Sequence, residues 1–233
     1  MSLPRCAIGV ITPSANVVVE WTAIRLLSRF PDVGVQFARV PLRGAVDPFP
    51  LGYDTAAMLE AARLLADARP QAIVWAGSKG ALIGIEKDET LCAAIKQATG
   101  VEATTPTLAL REVVAGRARR AALVTPYTQA YQMRLIEGLQ RLGIVCASER
   151  HAGVADNLAY ADVEPQAIAA MMREAAHEAV NLDFVLTWCT NFAVADVVEA
   201  FEREFPFPVV DATLLGLNQA IGLAGRVGAE LIS

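Results

Sequence analysis

The chain alternates short runs of apolar residues with longer segments in which apolar positions recur at helical spacing. Short continuous apolar runs predict buried strands, and the longer periodic segments predict the helices that connect them. The predicted strands are Ala7 to Ile11, Gly34 to Val40, Ala72 to Ala76, Val101 to Thr104, Ala121 to Val124, Ile144 to Ser148, Phe184 to Trp188 and Val209 to Val210. The predicted helices are Val17 to Arg29, Tyr53 to Ala68, Glu89 to Thr99, Thr107 to Val114, Thr128 to Leu142, Pro165 to Val180, Ala195 to Glu204 and Leu214 to Gly225. Such alternation is typical of an α/β fold with a parallel sheet.

The second half of the chain repeats the pattern of the first. In each half a predicted strand is followed by a small polar loop. This loop contains Gly77 in the first half and Cys189 in the second, 112 residues later. The loops that hold Pro13 and Pro126 match in the same way, at a spacing of 113 residues. We therefore expect two pseudo-symmetric, four-stranded, parallel-sheet (Rossmann-like) halves, with the active site in the cleft between them. The predicted halves are residues 1–116 together with 212–233, and residues 117–211.

Composition and charge narrow the function classes. The net charge of −5 argues against nucleic acid as a partner, since the basic residues cluster only from Arg117 to Arg120. No apolar stretch approaches the roughly 18 residues of a membrane span, so no membrane partner is expected. The apolar run near the start, Cys6 to Ile11, is too short for a secretory signal, and this favours a cytoplasmic location.

Cysteine placement singles out one thiol. The four cysteines show neither CxxC nor Cys/His metal spacing, and three of them lie in apolar or helical runs typical of buried, inert thiols. Cys189 alone lies where a strand opens into a polar loop ahead of a helical segment. Backbone N–H groups and a helix dipole at such a position are expected to lower the thiol pKa and favour thiolate. The alternative is a buried structural cysteine in a turn.

The other loops at predicted strand ends carry neutral hydrogen-bond donors. Gly77 and Ser78 let backbone N–H groups approach an anion closely, and this interpretation is favoured over the alternative of a plain tight turn. Lys79 is placed either to contact an anion or as a solvated surface charge, and the surface position is favoured. Asn16 is placed either to cap a helix or to hold a carboxylate. Tyr127 and Asn157 occupy further loops of this kind, and the loop from Pro41 to Tyr53 is long enough to cover the cleft.

The sequence does not favour a Cys-His catalytic triad or the binding of a cofactor. His177 lies mid-helix among charged residues, and His151 follows Glu149 and Arg150 in a polar segment. A Cys-His triad is therefore not expected. No zinc spacing occurs, and no dinucleotide-binding glycine pattern follows the first strand. The sequence favours chemistry without a metal or cofactor.

Taken together, the duplicated halves and the short motifs at the strand ends resemble the aspartate/glutamate racemase superfamily. The motifs are Pro13 to Asn16, Thr125 to Tyr127, Asp156 to Leu158 and Cys189 to Asn191. They are most similar to the branch of maleate cis-trans isomerases and arylmalonate decarboxylases. The resemblance implies a small carboxylate or dicarboxylate substrate, no cofactor, and a homodimer or larger homo-oligomer.

The resemblance also implies site residues, and here the sequence departs from the common pattern. Members of the superfamily typically use two cysteines, one from each half; the second matches Cys189, while the first falls at Gly77. Asn16, Tyr127 and Asn157 fall where the isomerases hold substrate carboxylates. Glycine at the first position resembles the decarboxylases, whereas Thr190 in the second loop resembles the isomerases.

We therefore expect a cofactor-independent lyase or isomerase that works through an enediolate-like intermediate with Cys189 as its single catalytic cysteine. Ser78, Tyr127 and Thr190 would stabilise the developing charge, while Asn16 and Asn157 would hold a carboxylate. One-face protonation after decarboxylation is favoured, because Gly77 has no side chain to donate a proton on the other face. The alternatives are a maleate isomerase-like or racemase-like reaction, and a non-catalytic member that binds a carboxylate.

Overall fold

The computed structural model describes residues 4, 6–42, 52–114 and 119–225. The strands in these residues are β1 (Cys6–Pro13), β2 (Val33–Val40), β3 (Ala72–Trp75), β4 (Glu102–Thr104), β5 (Arg119–Thr125), β6 (Ile144–His151), β7 (Phe184–Thr187) and β8 (Val209–Asp211). They form two sheets of four strands with the same order, β2-β1-β3-β4 and β6-β5-β7-β8, and every pairing is parallel. The predicted α/β fold class with two matching four-stranded halves is confirmed.

Helices connect the strands and cover the sheets. They are α1 (Val18–Leu27), α2 (Thr55–Ala66), α3 (Gly80–Ile83), α4 (Ile85–Thr99), α5 (Pro106–Val114), α6 (Gln129–Arg141), α7 (Pro165–Glu178), α8 (Val198–Glu204) and α9 (Ala212–Leu223), with 3-10 turns at Ala159–Asp162 and Val194–Asp196. The sequence pattern missed α3, which follows the Gly77 loop. Gly84 separates α3 from α4 at a φ of +112°, a conformation that residues with a side chain rarely adopt.

Burial explains why the inner strands read as continuous apolar runs. All four residues of β3 and all four of β7 are buried, because helices cover both faces of each sheet. Because both faces of an inner strand are covered, its side chains do not alternate between apolar and polar. Solvent or a ligand can reach these strands only at their ends. The site is thereby confined to the loops at the carboxyl edge.

The two halves pack closely against each other. Helix α9 follows β8 of the second sheet but packs on α5, β3 and α1 of the first half. Helix α3 packs against α6, and a Cβ atom on Gly138 of α6 would lie 1.8 Å from the carbonyl oxygen of Ala81. Glycine at this position therefore permits the helices of the two halves to touch backbone to backbone.

Some predicted features fall outside the described residues. These are residues 43–51 of the predicted covering loop, the first two residues of the basic cluster at 117–120, the boundary at residue 116 and the segment 226–233. Within the described ranges, no helix has both the length and the apolar character needed to cross a membrane.

Candidate active site

A cavity of about 260 Å³ lies between the two halves, at the carboxyl ends of the inner strands. In each sheet the strand order reverses between the first strand and the third, and ligands of open α/β sheets bind at such switch points. All seven predicted site residues line this cavity: Asn16, Gly77, Ser78, Tyr127, Asn157, Cys189 and Thr190. The sequence-based selection therefore converges on one place, with contributions from both halves.

Cys189 lies two residues beyond the end of β7 and is only 4% exposed. Burial raises the pKa of its thiol to about 12, and the negative charge of Asp211 adds to the effect. Hydrogen bonds from the Tyr127 hydroxyl and from the backbone N–H of Asn191, whose nitrogen lies 3.4 Å from Sγ, oppose this shift without cancelling it. The group that faces the cavity at neutral pH is therefore a thiol.

The predicted thiolate at Cys189 is wrong for a clear physical reason. No helix starts directly behind the thiol: the chain continues through a 3-10 turn at Val194–Asp196, and α8 begins only at Val198. A helix dipole acts within about one turn of the helix end, so it contributes little here. Desolvation therefore decides the protonation state.

Backbone N–H groups at the ends of β3 and β7 form a matched pair of donor sites. The Ala76 N–H donates to the Ile11 carbonyl at 2.8 Å, and the Trp188 N–H donates to the Val124 carbonyl at 3.2 Å. The next two N–H groups of each loop donate to no residue that the structure describes; they belong to Gly77, Ser78, Cys189 and Thr190. Unpaired N–H groups that line a cavity are ready donors to an oxyanion.

Ser78 and Tyr127 add two hydroxyl groups to this donor set. The Ser78 Oγ and Tyr127 Oη atoms lie 3.2 Å apart, across the boundary between the halves. Burial raises the Tyr127 pKa well above its ordinary value, and the nearby Cys189 adds to the effect. The phenol is therefore neutral and able to donate. Its ring packs against Tyr131 and Tyr160, with ring centroids 4.4 and 5.3 Å away.

Thr190 and Asn16 form a fixed link between the halves. The Thr190 hydroxyl donates to the Ala76 carbonyl at 3.0 Å and accepts from Asn16 Nδ2 at 3.1 Å. In the site without a ligand its only proton is used in this way, so donation from the Thr190 hydroxyl to substrate stays a prediction, and the backbone N–H is a second donor. Asn16 Oδ1 accepts from the N–H groups of Val18 and Val19 at 3.0 Å each, so Asn16 does stabilise the start of α1.

Asn157 has a side-chain amide that can still donate a hydrogen bond. Its carbonyl oxygen accepts from Asn191 Nδ2 at 2.6 Å, and this bond fixes the loop. Its own Nδ2 is buried but has no hydrogen-bond partner in the described parts of the chain. A buried amide donor without a partner is costly, and it points to a ligand acceptor in the cavity.

Comparison with known proteins agrees with this geometry. The family model for arylmalonate decarboxylase matches residues 8–230, nearly the whole chain. The chain belongs to the arylmalonate decarboxylase family. It is 30% identical to the maleate isomerase of Nocardia farcinica over 217 residues, which cover 90% of this chain and 86% of the isomerase. It is 28% identical to the arylmalonate decarboxylase of Bordetella bronchiseptica over 222 residues, 94% of this chain and 90% of the decarboxylase.

A solved structure of the Nocardia farcinica isomerase bound to Tris superposes with a TM-score of 0.81 at 25% identity, and covers 94% of this chain and 92% of that chain. The resemblance to the branch of maleate isomerases and arylmalonate decarboxylases is thereby confirmed. Both named relatives are enzymes, one an isomerase and one a decarboxylase. This member of the family is accordingly an enzyme.

The structure also adds site residues that the sequence pattern missed. Lys79, expected at the surface, lines the cavity with its Nζ atom buried, and it is the only charged side chain among the described lining residues. The reason is that α3 starts at Gly80 and holds Lys79 at the cavity edge. Trp75, Tyr131 and Tyr160 add aromatic walls. Of these residues, only Trp75 could have been found from the sequence, because it lies two positions before Gly77 at the end of a predicted strand.

Proposed function

We propose that this enzyme of the arylmalonate decarboxylase family decarboxylates a small dicarboxylic acid without a cofactor, through an enediolate-like intermediate. The observation that carries the proposal is the pairing of a protonated Cys189 with unpaired N–H groups from both strand-end loops. A site of this kind stabilises negative charge on an oxygen and supplies one proton. Those are the two requirements of decarboxylation followed by protonation.

The proposed reaction needs no oxidant or external electron pair. The bond between the α-carbon and one carboxylate breaks, CO₂ leaves, and the electron pair stays on the remaining carboxylate as an enediolate. Cys189 then donates its proton to the α-carbon, a new C–H bond forms, and solvent reprotonates the thiolate. A thiol with a pKa of about 12 is competent here, since the enediolate carbon is a much stronger base.

Donors from each half would hold the retained carboxylate. The N–H groups of Gly77 and Ser78 and the hydroxyl of Tyr127 would receive the developing oxyanion charge. The buried amide of Asn157 would bind a carboxylate oxygen, and Asn16 would orient its neighbour Thr190. Lys79 supplies a positive charge at the cavity edge, which favours a substrate with a net negative charge.

The walls of the cavity favour a substrate with an aromatic group. Trp75, Tyr127, Tyr131 and Tyr160 place four aromatic rings around a space of about 260 Å³. Rings in contact with one another prefer edge-on or offset packing against a further ring. An aryl-substituted malonate matches this lining better than a wholly aliphatic dicarboxylate does.

A maleate isomerase-like reaction is the second candidate, because the Nocardia farcinica isomerase is 30% identical and Asn16, Tyr127 and Asn157 line the same cavity as Cys189. That reaction requires a nucleophilic thiolate, which burial of Cys189 disfavours. A racemase-like reaction lacks a donor at Gly77. A non-catalytic carboxylate-binding role requires that turnover be absent with every substrate of these classes.

The deciding experiment compares phenylmalonate and maleate as substrates of the wild type, Cys189→Ala and the control Cys146→Ala. We expect CO₂ release from phenylmalonate by the wild type and the control, loss of turnover of at least about 10³-fold in Cys189→Ala, and one deuterium in the product in D₂O. Conversion of maleate to fumarate without CO₂ release would favour the isomerase instead. An active Cys189→Ala variant would contradict the assigned role of the thiol.

The cytoplasmic location and the homodimer or larger assembly stay predictions. Light scattering of the purified protein at several concentrations measures the mass of the assembly directly. A mass that corresponds to a single chain of 24.8 kDa at all concentrations would contradict the predicted oligomer.

A further inference from the structure

Gly77 and Trp75 lie two residues apart, and they compete for the same space. A Cβ atom on Gly77 would lie 2.4 Å from Cε2 and Cζ2 of the Trp75 indole and 2.6 Å from its Nε1. Cβ atoms essentially never come within 3.0 Å of another heavy atom outside their own neighbours. Glycine at position 77 is therefore more than a missing thiol. The wall of the first half at this point consists of an indole ring.

The indole is held in place from behind. Trp75 ends β3 and is 3% exposed, and its ring meets that of Tyr53 edge-on, with centroids 6.0 Å apart. The Tyr53 hydroxyl in turn donates to the carboxylate of Asp88, which also accepts from Thr105. A large ring backed by a buried, hydrogen-bonded cluster is not free to swing aside, because interiors are close-packed.

Trp75, whose indole faces Gly77, also lines the cavity. Burial raises the pKa of the Tyr53 phenol well above its ordinary value, and the Trp75 side chain, which faces that phenol, opposes the shift. A buried indole N–H usually has a partner. The ring therefore presents an apolar surface to whatever occupies the space of about 260 Å³.

We propose that Trp75 determines the one-thiol character of this site: its indole forms the substrate-facing wall of the first half and excludes any side chain at position 77. Substitution of Gly77 alone would thus not create a second proton donor. A thiol at that position requires a smaller residue at position 75. Only the catalytic consequence rests on the proposed decarboxylation; the steric relationship holds whatever the reaction.

The steric part is tested without any substrate, by thermal unfolding of four proteins: the wild type, Gly77→Cys, Trp75→Leu and the double variant. We expect Gly77→Cys to lower the Tm by roughly 4–10 °C in the wild-type background, and by less than half as much when Trp75 is replaced by Leu. The matched control is Gly222→Cys, since a Cβ atom there meets no atom within 4 Å. Its effect should be the same in both backgrounds. Equal costs of Gly77→Cys in the two backgrounds would overturn the proposal.

The catalytic part uses a disubstituted phenylmalonate, whose decarboxylation creates a stereocentre. The wild type and Trp75→Leu should each give one enantiomer in excess, and only the double variant should exchange the α-proton of the isolated product with D₂O and erode that excess. Erosion by Gly77→Cys alone, to the same degree, would overturn the proposal. Absence of turnover in all four proteins would contradict the decarboxylase function while the unfolding data still decide the role of Trp75.

Discussion

The hydroxyl oxygens of Ser78 and Tyr127 lie 3.2 Å apart, although the two residues come from different halves of the chain. Each follows an inner strand of its own sheet, so the contact exists only when the two sheets are correctly docked. Tyr127 also hydrogen-bonds the Cys189 thiol and lowers its pKa against the effect of burial. The phenol therefore connects the first-half loop to the proposed proton donor.

Removal of the phenol oxygen should impair chemistry more than folding. We expect Tyr127→Phe to reduce kcat about 10²-fold, because the phenol proton, which donates to Cys189 in the free site, is no longer present to stabilise the developing charge. Steady-state kinetics of Tyr127→Phe, Ser78→Ala and the double variant measure the effect. Since the hydroxyls act together, the double variant should lose less than the product of the single losses. Strictly multiplicative losses would show that the two hydroxyls act independently.

Replacement of the Thr190 hydroxyl should weaken the junction between the halves. Thr190→Val keeps the shape but leaves the buried Ala76 carbonyl and the Asn16 amide without their shared partner. The expected cost is about 1–3 kcal/mol in the free energy of unfolding, measured by urea denaturation. Thr190→Ser retains the hydroxyl and serves as the control. A valine variant as stable as the serine variant would contradict the assigned role of the hydroxyl.

Alkylation of Cys189 should report its protonation state. Because burial raises the thiol pKa to about 12, the thiolate fraction should rise about tenfold per pH unit from pH 7 to 10, with no plateau near pH 9. The rate of iodoacetamide labelling, followed residue by residue by mass spectrometry, measures this. Cys6, which is half-buried, gives an internal comparison. A Cys189 rate that levels off below pH 9 would mean that the thiolate forms more easily than burial allows.

Asp88 should make stability depend on pH in the acid range. Its pKa is raised from 3.8 to about 6, chiefly by burial, so the folded state binds the proton more tightly than the unfolded state does. The stabilisation is full below pH 3.8 and is lost as the pH rises through 6. Asp211 shows the same shift.

The variant Asp88→Asn should therefore lose less stability than the wild type between pH 4 and pH 6. Because Asp211 still titrates, we expect the fall attributable to the two carboxyls to be roughly halved. Urea denaturation of both proteins across this range measures the difference. A pH dependence identical to that of the wild type would show that Asp88 does not hold its proton in the folded state.

The fold followed from the sequence because its signals are local and repeated. Apolar runs gave the inner strands β1, β3, β5 and β7, and the matched loops gave the duplication. The strand ends in turn predicted seven of the residues that line the cavity, since the carboxyl edge of a parallel sheet is where loops converge. Helix α3 was missed because its four residues are too few to show a period.

Properties that depend on packing could not be predicted in this way. The protonation of Cys189 depends on how completely neighbouring residues exclude water, which no spacing reveals. The sequence predicts Lys79 at the surface, whereas in the structure α3 holds it at the edge of the cavity. The hydroxyl of Thr190 donates its proton to the carbonyl oxygen of Ala76, a residue 114 positions away in the sequence. Each of these outcomes depends on how the residue packs in the folded chain, which the pattern of the local sequence does not show.

The close approach of Trp75 to position 77 has a consequence for how such sites change over generations. Two of the four glycine codons become cysteine codons through a single base change, so from those codons a second thiol is one mutation away. In this chain that mutation meets an indole ring and is penalised. Trp75 must therefore be replaced by a smaller residue before Gly77 can become cysteine. A two-thiol site is reached only when the two substitutions occur in that order.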